Sequence, residues 1–171
     1  AGKRALVLGA GGAGGTACAV LRQMDAAVTV LSRTEKPGDF YGKNNGILYS
    51  TYRHISQYKD AQIIVNATPV GMYPHNGEAA VDLEIFSNLC LVADLIYNPA
   101  RTALLLQAED LGIPCSGGLS MLAAQAAASA ALFLGEAMDI SKISQVEGVL
   151  RRQTENLILI GMPGSGKTTL A

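Results

Sequence analysis

The residues Gly9-Ala10-Gly11-Gly12-Ala13-Gly14 satisfy the spacing GxGxxG. They follow the apolar run Arg4 to Leu8 directly and precede Thr16 to Gln23, whose composition suits a helix. A glycine turn in that setting lets the backbone approach a pyrophosphate, whose charge is met by the exposed N–H groups of the helix start. A second strand is predicted at Ala26 to Leu31, and it runs into Ser32-Arg33-Thr34. A site for NAD usually places an acid there, on the ribose 2′-hydroxyl. Here the Arg33 guanidinium can stack on an adenine and pair with a 2′-phosphate, while Ser32 and Thr34 add hydroxyl donors. NADP is the cofactor these residues favour, with Glu35 a nearby opposing charge.

A second phosphate-binding pattern stands near the other end. Gly161-Met162-Pro163-Gly164-Ser165-Gly166-Lys167-Thr168 matches GxxxxGK[ST] after the strand-like Leu157 to Ile160. The backbone there is suited to cradle nucleotide phosphates, with Lys167 reaching the β/γ-phosphates of ATP and Thr168 a magnesium ion. Only three residues follow Thr168, too few for the sheet, metal acid and substrate pocket that such a loop needs. ATP turnover is therefore not expected of this chain. Of the general acids and bases, His54 and His75 have no partner that the sequence identifies, and no catalytic or metal-ligating residue is assigned.

The elements that must position these motifs are short buried strands and helices in alternation. Ile47 to Tyr52 is weakly strand-like, and Gln62 to Asn66 and Leu89 to Leu95 are clear apolar strands. The prolines and glycines of Thr68 to Glu78 predict a loop at a strand's carboxyl end, where open α/β sheets bind ligands. Thr102 to Leu111 reads as a helix stopped by Gly112, Ile113 to Cys115 as a short strand, and Leu119 to Phe133 as a helix stopped by Gly135. The fold class is α/β, a doubly wound parallel sheet of the Rossmann-like, nucleotide-binding kind. Glu136 to Asn156 is polar with little strand signal and reads as a linker.

Composition narrows the partners. Of 171 residues 49% are hydrophobic and 16% charged, which supports a sizeable core. Thirteen Lys and Arg against fourteen Asp and Glu leave a formal charge of −1, so no net pull toward nucleic acid or an acidic membrane exists. Cys18, Cys90 and Cys115 lie far apart without CxxC spacing, the pattern of buried thiols in a reducing cytoplasm. No export signal is visible in the opening AGKRALVL. The uncharged run Ser120 to Gly135 is shorter than the roughly 20 residues a bilayer requires. It is expected to be a buried helix of small side chains.

Four stretches together resemble the C-terminal cofactor domain of shikimate dehydrogenase: GAGGAGG at 9 to 15, SRT at 32 to 34, NATPVGM at 66 to 72, and the run from Asp94 to Ala126. The resemblance spans roughly residues 2 to 135. It implies that Gly9, Ala10, Gly11, Gly12 and Ala13 line the pyrophosphate of NADP and that Ser32, Arg33 and Thr34 hold the 2′-phosphorylated ribose. It places Thr68, Leu95 and Gly118 near the nicotinamide half, with Met121 packed on that ring, and turns Tyr97 and Gln125 toward a polyhydroxy-acid substrate. Where the family carries a further basic residue three positions after its threonine, Pro37 stands here and Lys36 comes one place early. The family's catalytic Lys–Asp pair belongs to an N-terminal substrate domain, expected before Ala1.

The stretch from Asn156 through Thr169 resembles the opening of shikimate kinase, in which Gly161, Gly164, Gly166, Lys167 and Thr168 bind the phosphates of ATP with Mg. The two resemblances imply an internal piece of a fused dehydrogenase–kinase: residues 1–136 the NADP-binding domain, 137–156 a linker and 157–171 the start of the kinase. Such a piece is expected to bind cofactor without turnover. A quinate-tolerant dehydrogenase and a non-catalytic scaffold remain open as readings.

Overall fold

The computed structural model describes residues 2–43, 45–135 and 140–154. The P-loop residues Gly161, Gly164, Gly166, Lys167 and Thr168 lie outside the described residues.

Among the described residues six strands form one sheet: β1 (Arg4–Leu8), β2 (Ala27–Ser32), β3 (Leu48–Thr51), β4 (Ile63–Asn66), β5 (Leu91–Asp94) and β6 (Cys115–Ser116). Every pairing is parallel and the order is β3-β2-β1-β4-β5-β6. The direction of winding reverses between β1 and β4, which opens a crevice at their carboxyl ends. Among the described residues four helices accompany the sheet: α1 (Gly12–Gln23), α2 (Ala103–Asp110), α3 (Leu119–Leu134) and α4 (Ile140–Thr154).

A parallel sheet is covered on both faces, so its strands are apolar at consecutive positions and the two-residue period sorts them. Ala5, Val7, Val28, Val30, Ile63 and Val65 point to one face and pack with Cys18 and Leu21 of α1. Leu6, Leu8, Leu31 and Ile64 point to the other, against Leu104 and Ala108 of α2 and against Leu83 and Phe86. Thr102 starts α2 as its cap, accepting a hydrogen bond from the Leu105 N–H. Gly135 ends α3 in the left-handed conformation, φ 67°, as the sequence predicts.

Several expectations are corrected. Helix α1 begins at Gly12 rather than Thr16, because the low intrinsic propensity of glycine hides a helical turn that tight packing on β1 holds. Helix α3 is not buried: only Leu119 and Ala123 are, and Leu132, Phe133 and Leu134 are 84%, 91% and 70% exposed. Of the three cysteines Cys18 is buried, Cys115 is half-buried and Cys90 is exposed; all are free thiols. Within the polar stretch read as a linker, 140–154 is helical and packs against α3.

Candidate functional site

The glycine turn sits at the carboxyl end of β1, beside the carboxyl end of β4, in the crevice where the winding reverses. Two of its glycines are required by close approach. Gly9 has φ +100°, and a Cβ on it would lie 2.9 Å from Thr68 Cγ2. A Cβ on Gly14 would lie 2.3 Å from the Gly9 carbonyl oxygen, so its absence lets α1 descend onto the strand end. Gly11 and Gly12 differ, because a Cβ on either meets nothing within 4 Å. Both are exposed, as is Ala13, while Ala10 is half-buried. Gly11 is the N-cap of α1 and offers no side chain, so the first N–H groups of the helix have no intrahelical or side-chain partner. Open space in front of unpaired amides fits a diphosphate group such as that of a dinucleotide cofactor.

The end of β2 forms the flank of this crevice. Ser32 is buried, and its hydroxyl donates to the Thr34 carbonyl within the turn. Arg33 and Thr34 are exposed. Lys36 Nζ lies 4.8 Å from the centre of the Phe40 ring, a cation–π contact that holds the ammonium on this flank. The structure thus supplies two cations, Arg33 and Lys36, within one short loop after β2.

Thr68 follows β4 and is half-buried. Its hydroxyl donates to Asn66 Oδ1 at 2.7 Å and accepts from the Val70 N–H at 3.2 Å. The Asn66 amide group donates to Asp94 Oδ1 at 3.0 Å, and Asp94 Oδ2 accepts from the Thr102 hydroxyl at 2.7 Å. Asp94 Oδ1 accepts as well from the Ile96 N–H. These three buried polar side chains tie the ends of β4 and β5 to the start of α2 and so hold Thr68 and the loop through Leu95 and Tyr97. Burial raises the Asp94 carboxyl above the ordinary carboxylate range, with the hydrogen bonds from Thr102, Ile96 and Asn66 pulling the other way.

Leu95 and Gly118 come together, since a Cβ on Gly118 would lie 2.2 Å from the Leu95 carbonyl oxygen. Met121 is exposed in the first turn of α3, and Gln125 is exposed on the same helix. Tyr97 is 48% exposed on the loop after β5. It lines a cavity of about 280 Å³ together with Arg101, Glu109 and Ser120. Among the described residues, no group of three or more His, Cys, Asp or Glu could hold a metal. No helix among them is long and apolar enough to cross a membrane.

The shikimate dehydrogenase (NADP(+)) of Caldanaerobacter subterraneus subsp. tengcongensis is 33% identical over 148 residues, covering 81% of this chain and 52% of that protein. Shikimate dehydrogenases match most of this chain. Shikimate dehydrogenase 1 of Peptoclostridium difficile superposes with a TM-score of 0.81 at 29% identity, over 91% of this chain and 57% of that one. Shikimate 5-dehydrogenase from Thermus thermophilus, solved in complex with NADP(H) and shikimate, gives a TM-score of 0.73 at 32% identity, over 86% of this chain and 54% of that one. No family model matches. The chain spans about half the length of these shikimate dehydrogenases, and its six-stranded parallel sheet is the Rossmann-like fold of their NADP-binding domains.

Two parts of the site escaped the sequence reading. Asn66, Asp94 and Thr102 were legible only as polar residues closing apolar strands or opening a helix. Tyr41, whose hydroxyl donates to the Gly11 carbonyl oxygen at 2.7 Å, lies 30 positions from its partner, and no local signal announces it.

Proposed function

We propose that this chain is the cofactor-binding half of an NADP-dependent shikimate dehydrogenase, whose whole protein interconverts 3-dehydroshikimate and shikimate. The observation that carries the proposal is the glycine turn at the β1–β4 crevice, with open space at Gly11 and Gly12 and two cations on the adjoining flank.

In this reading the amides of Gly9, Ala10, Gly11, Gly12 and Ala13 bind the diphosphate, and Arg33 with Thr34 and Lys36 binds the 2′-phosphate. Thr68, Leu95, Gly118 and Met121 border the nicotinamide. NADPH supplies the hydride when bound. Tyr97 and Gln125 orient the substrate by hydrogen bonds to its oxygens. Proton transfer is assigned to a Lys–Asp pair of the substrate domain, so this chain by itself binds without turnover in a cytoplasmic setting. Preference for shikimate over quinate is set by that other half.

The motif from Gly161 to Thr168 supports a fused shikimate kinase in the parent protein, with Lys167 and Thr168 serving ATP and Mg there. The test of the main reading is titration of the chain with NADPH, followed by fluorescence and melting temperature. A saturable response that Arg33→Ala weakens is expected. The absence of any response refutes the cofactor assignment.

A further inference from the structure

The GxGxxG turn has a structural weakness. Gly11 and Gly12 stand in open space, without side chains to fix their peptide planes, and Gly11 gives α1 no capping side chain. A turn left free in this way would lose part of its binding energy to the ordering of its own backbone.

The loop between β2 and β3 supplies what the turn lacks. Tyr41 Oη donates to the Gly11 carbonyl oxygen at 2.7 Å, and the same oxygen accepts the first helical bond, from the Gly15 N–H, at 3.0 Å. The ring lies flat enough on α1 that a Cβ on Gly15 would come within 3.0 Å of Tyr41 Cε1, and one on Gly14 within 3.1 Å of Tyr41 Oη. The ring is itself held. The Tyr41 N–H donates to Tyr49 Oη at 3.1 Å, and the Asn45 side-chain amide donates to that same hydroxyl at 3.0 Å. Tyr49 belongs to β3, so the chain of contacts ends in the sheet. Phe40 packs edge-on to Tyr41 with ring centres 5.0 Å apart, and carries Lys36 on its face.

The carbonyl of Gly11 and the N–H of Gly12 share one planar trans peptide and point in opposite directions. Fixing the carbonyl toward Tyr41 therefore fixes the Gly12 N–H away from it, and helix geometry leaves that N–H without an intrahelical acceptor. We propose that Tyr41 is the positioning residue of the diphosphate cradle: its hydroxyl orients the Gly11–Gly12 peptide so that the Gly12 N–H is preset for the cofactor. Burial, with smaller contributions from Cys18 and Tyr49, pushes the Tyr41 phenol up to about 12, so it remains a protonated donor at physiological pH. The same loop bears Arg33 and Lys36, which makes one segment the support of both phosphate subsites.

This inference rests on the cofactor reading above, and the experiment separates the two. Kd values for NADPH and for 2′-AMP, which has the 2′-phosphate but no diphosphate, are measured on the 171-residue chain and on its Tyr41→Phe variant, with melting temperatures alongside. The variant keeps the ring and deletes only the donated proton. Expected are a roughly fivefold weaker Kd for NADPH, the scale of one neutral hydrogen bond, with 2′-AMP binding unchanged and the melting temperature lowered by no more than the loss of that one bond. Equal NADPH affinity in the two proteins overturns the role of Tyr41. Weakening toward both ligands also overturns it, since that is the mark of a general support of the loop. If the unaltered chain binds no NADPH, the cofactor reading itself fails.

Discussion

The Asp94 carboxylate and the Thr102 hydroxyl meet at 2.7 Å, both residues 1% exposed, at the point where β5 hands the chain to α2. The carboxylate's other hydrogen-bond donors are the Asn66 amide group and the Ile96 N–H. Burial makes this carboxylate costly to ionise, and the three neutral donors offset part of that cost. Truncation to alanine leaves three donors without their acceptor. Asp94→Ala is expected to cost about 3 kcal/mol in a denaturant titration and to weaken NADPH binding through the release of Asn66 and Thr68.

The same group gives a pH signature. Its carboxyl in the fold is raised above the ordinary 3.8. Between those two values the folded state holds a proton that the unfolded state has lost, so this contribution is complete below the ordinary value and disappears as pH rises through the folded one. Asp94→Asn cannot titrate. The difference in unfolding free energy, wild type minus variant, should therefore fall with rising pH across that window. A difference that stays flat as pH rises from 3.8 would contradict the assigned direction.

The glycines of the turn divide into two kinds with opposite responses to a methyl group. Gly12→Ala adds a Cβ that meets no protein atom in the first turn of α1, so stability should hold or rise by about 0.5 kcal/mol. In the proposed reading the added carbon stands where the diphosphate approaches, and NADPH affinity should fall at least tenfold, the order of 1.4 kcal/mol. Gly14→Ala puts a Cβ 2.3 Å from the Gly9 oxygen and should destabilise the fold by about 2 kcal/mol. Thermal melting and ligand titration on both variants check the contrast.

Arg33 is exposed at the end of β2, with Lys36 following on the Phe40 ring. In the proposed reading, removing the guanidinium deletes a charge-assisted contact that only the 2′-phosphorylated cofactor can make. Arg33→Ala should lower the preference for NADPH over NADH about tenfold, with NADH affinity nearly unchanged. Isothermal titration with both cofactors at two salt concentrations reads this, and the effect should shrink at the higher one.

The central strands were legible because a sheet covered on both faces demands short, continuous apolar runs, and Leu6 to Leu8 or Ile63 to Val65 cannot be read otherwise. The turn at Gly9 to Gly14 was legible because it combines a spacing with a position between strand and helix. Helix α4 carried a signal that its polarity masked: Ile143, Glu147 and Leu150 share a half-buried face at helical spacing. The contacts from Tyr41 to Gly11 and from Asp94 to Asn66 join residues 30 and 28 positions apart. Such pairs are set by sheet order and loop path, which no local pattern encodes.

The end of α3 yields the last prediction. Leu132, Phe133 and Leu134 form three consecutive apolar side chains exposed by 84%, 91% and 70%. At that exposure among the described residues, an apolar cluster adds little to stability and favours self-association. Phe133→Ser should therefore leave the melting temperature of the isolated chain unchanged and reduce light scattering at high concentration. The same change at buried Leu104, 1% exposed, should lower the melting temperature sharply, because burying a leucine contributes about 2 kcal/mol and a hydroxyl there would lack a partner. If Phe133→Ser melted as early as Leu104→Ser, the face would have to be packed in solution, and its exposure would be refuted.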